Sequence, residues 1–352
     1  MRKNPPATSA FSLQPSAFIG LTAFDNRLLD RLQLDIPLVK KPWRALARQL
    51  NVKEPVFLER AGALKKKGVI RRISATFDPG KIGFTSTLAA AKIAPGKIDR
   101  VAAGLNACAE VTHSYKRDSE FNLWFTIVAR GKKPAARILG VLGKDRDVLA
   151  LIELPAVRIF KIRVNFPMAG KHSIFRRTRR APLLASGPEK SDRPGKPKKT
   201  LTLIERKIIG AISTDIPLVE RPFENIAAAL NVSENKLLAY IRAFRKKHIL
   251  RKYAAVLNHR KAGFNCNAMA VWRAPAELIP SAGALMASYA AVSHCYQRQT
   301  ARGWDYNLYS MIHGHSKEEC LALAGKISGQ TGLKKYRILF STKEYKKTGV
   351  KY

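Results

Sequence analysis

At 352 residues and 46% apolar composition the chain is long enough for several modules, each with a core of its own, which excludes a wholly disordered polypeptide. Lys and Arg number 64 against 25 Asp and Glu, and the formal charge of +39 implies a polyanionic partner: nucleic acid, an anionic surface or a ligand with many carboxylates. Cys108, Cys266, Cys295 and Cys320 show no CxxC spacing and no apolar run approaches the roughly 18 residues of a membrane span, so zinc ribbons, disulfide frameworks and transmembrane helices are set aside and a reducing cytoplasm is expected.

Residues 1–21 lack the continuous apolar stretch of a secretion signal and are expected to form a disordered tail. Residues 22–84 carry three helical patterns: Leu28, Leu29 and Leu32, then "WRALARQL", then a basic amphipathic segment from about Pro55 to Lys67. The short link "LNV" between the second and third is compatible with a helix-turn-helix, and the strand "VIRRISATFD" follows. Residues 85–166 alternate strand, helix, strand, strand, helix, strand, the order of a ferredoxin-like βαββαβ domain. Composition marks 167–201, with "EKSDRPGKPKKT", as a basic Pro- and Gly-rich linker. The chain then writes the same unit again. "DIPLVKKPW" from Asp35 returns as "DIPLVERPF" from Asp215, and the stretch from Leu50 to Phe84 matches that from Leu230 to Phe264. Residues 202–264 are the second helix-turn-helix domain and 265–352 the second ferredoxin-like domain. The expected fold is α+β, a tandem repeat of winged helix-turn-helix plus ferredoxin-like domain whose free sheet faces pair as an intramolecular pseudo-dimer.

The most informative repeat is "VTHSYKR" from Val111 and "VSHCYQR" from Val292. On a strand, alternate side chains share a face, which aligns His113 with Tyr115 and Arg117, and His294 with Tyr296 and Arg298, about 7 Å apart. On the next strand Asn307, Tyr309, Met311 and His313 share a face, and a suitable hairpin register brings His313 to His294. The first copy has Val128 in place of His313, so the halves are unequal. Trp304 and Tyr306 suit either turn packing or ligand contact, and His259 suits either a basic loop or the site. Walker and Rossmann phosphate loops, Gly-x-Ser-x-Gly and His-Glu-x-x-His are all missing, and the chain is poor in the paired acids of glycoside hydrolysis.

Helix-turn-helix followed by a ferredoxin-like module, with the junction "KKGVIRRISATFDPGKIGF", resembles the Lrp/AsnC regulators. "LRKYAAVLNHRKAGFNCNAMAVW", "VSHCYQR" and "WDYNLYSMIHG" are more specifically similar to the siroheme decarboxylases, relatives of those regulators that act in alternative haem and d1-type haem biosynthesis as a pair of homologous subunits. The two unequal copies look like both partners fused. The resemblance implies a carboxy-lyase that removes the C12 and C18 acetate carboxyls of siroheme, with siroheme bound as substrate and no cofactor required. It implies His294 and His313 as proton donors. Arg117 and Arg298 would clamp carboxylates, with Tyr296, His113, His259, Trp304, Tyr306 and Asn307 at the substrate. His294 or His113 is alternatively an axial ligand of the substrate iron, and no resident metal is implied. The first copy has Ser114 and Lys116 where the second has Cys295 and Gln297, which argues against a second complete site. A higher homo-oligomer is left open. The rival expectation is a DNA-binding regulator using Arg242, Arg245, Lys246 and Lys247 on phosphates. Against it, the first copy's third helix contains Glu54, Pro55, Glu59 and Gly62.

Overall fold

The computed structural model describes residues 20–162, 166, 168, 175, 177, 201–258 and 260–350. His259, the tail through residue 19 and most of the linker lie outside the described residues.

Each copy opens with three helices: α1 (Ala23–Leu32), α2 (Pro42–Gln49) and α3 (Glu54–Lys66) in the first, and after β1 to β5 of that copy, α6 (Leu203–Ser213), α7 (Pro222–Ala229) and α8 (Glu234–Lys246) in the second. Thr22 and Asp25 form a capping box at α1, and Thr202 and Glu205 repeat it at α6. Pro42 and Pro222 start α2 and α7, where the missing N–H would have had no helical partner. The turns into α3 and α8 pass through Asn51 and Asn231 with φ of 57° and 53°. Asn tolerates this left-handed conformation, which is the physical reason that "LNV" is written twice.

One strand follows each helix trio, β1 (Ile70–Phe77) and β6 (Leu250–Leu257), and the two pair antiparallel with each other, Ser74 opposite Ala254. In place of a wing hairpin inside each copy there is one ribbon shared by both. The repeated "DIP" stitches it. Asp35 Oδ1 accepts from Tyr253 N–H at 3.0 Å and Asp215 Oδ1 from Ile73 N–H at 2.8 Å. Ile36 N–H and Ile216 N–H donate to the carbonyls of Tyr253 and Ile73, both at 2.8 Å. Trp43, Phe57 and Phe77 of the first copy and Phe223, Phe244 and Tyr253 of the second share a single buried core, so the two helix-turn-helix domains form one hydrophobic body.

The ferredoxin-like halves are β2 (Phe84–Ile93), α4 (Ile98–Ala107), β3 (Val111–Arg117), β4 (Leu123–Arg130), α5 (Lys133–Leu142) and β5 (Val148–Ile162), then β7 (Cys266–Trp272), α9 (Ile279–Ser288), β8 (Val292–Arg298), β9 (Leu308–Gly314), α10 (Lys317–Thr331) and β10 (Tyr336–Lys347). The strands close into a barrel in the order β10-β3-β4-β2-β5-β8-β9-β7. Closure depends on the long fourth strands: β5 pairs with β2 and then crosses to β8, while β10 pairs with β7 and then crosses to β3. Phe160, near the end of β5, lies so close to α9 that a Cβ at Gly283 would stand 2.4 Å from its ring. α4 and α5 cover the outer face of the first sheet, α9 and α10 that of the second. The inner faces meet around Trp124, Leu154, Val271, Trp304, Tyr309 and Leu339. The intramolecular pseudo-dimer expected from the repeat is the architecture found.

Candidate active site between the sister sheets

Val292 and Cys295 pack toward α9 and α10, and Val111 toward α4 and α5. His294, Tyr296 and Arg298, and likewise His113, Tyr115 and Arg117, are thereby turned into the barrel. Strict alternation breaks at one place in each copy. β3 passes from Val111 opposite Ile127 to His113 opposite Thr126, and β8 from Val292 opposite Ile312 to His294 opposite Met311. Thr112 and Ser293 are the extra residues of β-bulges, a device that re-aims side chains. Thr112 Oγ1 lies 3.0 Å from His113 Nδ1, and Ser293 Oγ lies 2.9 Å from His294 Nδ1. Ser293 Oγ also stands 2.8 Å from Nε2 of His313, so the two histidines anticipated in one pocket are joined through a serine. His313 is 8% exposed and meets the edge of Phe166 at 5.2 Å.

Burial lowers the His294 imidazole to about 3, with the positive charges of His113, Lys347, Arg298 and Lys161 acting in the same direction. Burial likewise lowers His113 to about 4, aided by Lys347, Arg72 and Arg71. The histidines of the two sisters thus stand within one field. Burial raises both phenols, against the opposing pull of Arg71 and Arg260 on Tyr115 and of Arg251 on Tyr296. The carboxylate acting on Tyr115 is Glu344, which accepts from Arg71 at 3.5 Å. The barrel interior here is therefore cationic around neutral imidazoles, which favours carboxylates as neighbours. Below pH 6.5 an unfolded histidine takes a proton that folded His113 refuses down to about 4 and His294 to about 3, so the unfolded state gains protons first. Stability accordingly falls as pH drops through this window. The thermal midpoint should decline between pH 6.5 and 4 and flatten in a His113→Gln/His294→Gln variant; an unchanged pH slope in that variant would contradict the assignment.

The other expected site residues divide. Arg117 Nη1 donates to Leu339 O and Arg298 Nη1 to Leu154 O, both at 2.8 Å, and each guanidinium lies over its neighbouring tyrosine, at 5.7 and 4.6 Å. They brace β10 and β5 from inside the barrel, with one nitrogen of each committed to the frame. Asn307 is committed further. Its Nδ2 donates to Ala274 O at 2.8 Å and its Oδ1 accepts from Ala274 N–H at 2.9 Å, while Asn122 brackets Ile93 in the same way. The repeated "NL" is a backbone clip. Asn307→Ala should cost about 1–3 kcal/mol of stability, read by denaturant unfolding, because it strands two backbone groups. Trp304 is 3% exposed and donates from Nε1 to Tyr309 Oη at 2.8 Å, inside the plug where the sheets meet. Packing accounts for it. Tyr306 is half-buried, tilted against Trp304 with Arg337 over its ring at 5.8 Å. His259 lies outside the described residues.

Sequence reasoning missed Ser293, Lys347 and the arginines of the shared ribbon. The Ser/Thr that precedes His in both repeats was the available signal. On α8, Arg242 donates to Leu38 O at 2.7 Å and Arg245 pairs with Asp35 at 3.0 Å, and at its C-terminal cap Lys247 approaches Glu205 at 3.9 Å, so these basic residues link α8 to the first copy and to α6. Among the described residues no helix is long and apolar enough to cross a membrane.

Known proteins share this organisation. Residues 25–71 and 205–251 match the model of the siroheme decarboxylase NirDL-like HTH domain, and residues 81–161 and 261–346 match that of the AsnC-like ligand binding domain. A siroheme decarboxylase of Hydrogenobacter thermophilus is 36% identical over 93% of this chain and 94% of its own. A siroheme decarboxylase NirDL subunit of Paracoccus denitrificans is 34% identical over 92% and 96%. The siroheme decarboxylase beta subunit of Methanosarcina barkeri matches 41% of this chain with 95% of its own length, at 37% identity, the relation expected of one partner of a fusion. The crystal structure of the siroheme decarboxylase NirDL superposes with a TM-score of 0.69 at 33% identity, covering 94% of each chain. Its co-complex with an iron-uroporphyrin III analogue superposes at 0.67 and 32% identity, again over 94% of each.

Proposed function

The chain belongs to the siroheme decarboxylase family, and from that premise we propose that it is a carboxy-lyase that removes carbon dioxide from the C12 and C18 acetate side chains of siroheme. The observation that carries the reading is the pair His294 and His313, held through Ser293 in a cationic chamber that both copies build.

Siroheme brings many carboxylates. Arg71, Arg72, Lys347, Arg251 and Arg260 surround the tyrosines and histidines with positive charge to receive them. Their arrival also changes the histidines. An imidazole depressed by burial and by cations regains protons when negative groups settle beside it, so substrate binding charges His294 at the moment an acid is needed. Carbon dioxide leaves with its carbonyl carbon, the electron pair stays on the methylene carbon and spreads into the macrocycle, and a proton from His294 completes the methyl group. Each acetate requires one such proton. Nδ1 of His294 faces Ser293, which leaves Nε2 as the donor to substrate.

His113 has the same bulge hydroxyl on Nδ1 but Val128 where the sister has His313. This asymmetry favours axial ligation of the substrate iron for His113 and proton delivery for His294, with one reacting site per chain. No cofactor beyond the substrate is invoked. DNA binding is not expected to be the main role, and Arg242 and Arg245 of α8 bond to Leu38 and Asp35 of the first copy. The reading is tested by anaerobic incubation with siroheme: a shift of the absorption spectrum followed by a product lighter by two carbon dioxides is expected, and siroheme recovered unaltered would refute it.

A further inference from the structure

Resting on the decarboxylase reading, the geometry points to Ser293 as the relay that passes protons from His313 to His294, so that His313 acts through Ser293 without touching substrate. Ser293 is 4% exposed and stands 2.8 Å from His313 Nε2 and 2.9 Å from His294 Nδ1. A hydroxyl has one proton to donate and two lone pairs. It cannot donate to both rings, and with His313 charged the relay arrangement is the one in which His313 donates to Ser293 while His294 accepts from it.

That constraint defines the step. With His313 charged, its Nε2–H donates to Ser293 Oγ while Oγ–H donates to Nδ1 of neutral His294. The Nε2–H bond breaks as a new Oγ–H forms, and the old Oγ–H breaks as Nδ1–H forms. His313 ends neutral, with its proton on Nδ1. The serine ends with its hydroxyl reversed, and His294 ends as the imidazolium that protonates the substrate carbon from Nε2. Nothing is oxidised or reduced. Two acetates need two protons, and each passage of the relay delivers one: a second passes only after His313 has been recharged, the Ser293 hydroxyl has turned back and His294 has exchanged its Nδ1 proton for one at Nε2.

The first copy shows what the bulge does without a relay. Thr112 makes the same bulge and the same bond to His113, and among the described residues its hydroxyl meets in addition only Thr126 O at 3.4 Å. The backbone shape therefore tolerates Ser or Thr. The second histidine contact belongs to the copy in which His313 replaces Val128.

Ser293→Thr and Ser293→Val are matched in shape and differ in the hydroxyl. The relay predicts that single-turnover carbon dioxide release from siroheme in Ser293→Val falls by about 10²-fold, with siroheme affinity by absorbance titration held within a few-fold, while Ser293→Thr recovers most of the rate. It also predicts that Ser293→Val/His313→Ala is no slower than the slower single variant, and that the solvent deuterium effect of the wild type shrinks in Ser293→Val. Equal rates in Ser293→Thr and Ser293→Val, or losses that multiply in the double variant, overturn the relay and leave the decarboxylase reading standing. A wild-type protein that releases no carbon dioxide removes both.

Discussion

Replacing His294 by Ala lowers carbon dioxide release from siroheme by about 10²–10⁴-fold, the range lost when a positioned proton donor is removed. The effect should fall on the rate and spare binding, because the proposed function assigns carboxylate capture to Arg71, Arg72, Arg251 and Lys347. The fold should survive: His294 faces the chamber, whereas the same strand is anchored on its other side by buried Val292 and Cys295. Anaerobic stopped assays that quantify released carbon dioxide, beside an absorbance titration of bound siroheme, separate the two quantities. An Ala variant with wild-type kcat would remove His294 from the chemistry, and one with intact kcat but greatly weakened binding would make it a binding residue.

Trp304→Ala, by contrast, should damage the frame. Its indole meets Phe121 at 5.5 Å and Trp124 at 5.4 Å, both from the first copy, and donates to Tyr309 Oη of the second. It plugs the barrel where the sisters meet, so truncation opens a cavity on both sides of the pseudo-dyad. Losses for such a change are about 3–5 kcal/mol. Denaturant unfolding should show that loss, while siroheme affinity of the folded fraction stays within a few-fold of wild type. Unchanged stability with lost affinity would return Trp304 to the substrate-contact role suggested by its place in "WDYNLY".

The sequence made the pseudo-dimer legible because both copies write the same element order, and "LNV" marks a left-handed turn that few residues accept. His294 and His313 were brought together as expected, yet strict alternation could not foresee the means. A bulge inserts one residue without any signature in hydropathy, and Ser293 owes its position to it. The "DIP" repeats were visible as repeats but not as stitches between copies, since Asp35 and Asp215 reach strands more than a hundred residues away. Asn307 misled for a related reason. An amide at a strand end bonds a backbone clip or a ligand equally well, and its twin Asn122 in the first copy was the clue to the clip. Arg298 shares its face with His294 as alternation requires, but the carbonyl of Leu154 that takes one of its nitrogens lies on a strand of the other copy.

The proposed function requires that the two sister modules together hold and protonate one carboxylate-rich tetrapyrrole. Mixing equimolar chain and siroheme without oxygen and weighing the tetrapyrrole by mass spectrometry after a single turnover tests it directly. Conversion of the bound siroheme to a species lighter by two carbon dioxides is the result expected; complete recovery of the starting mass would contradict it.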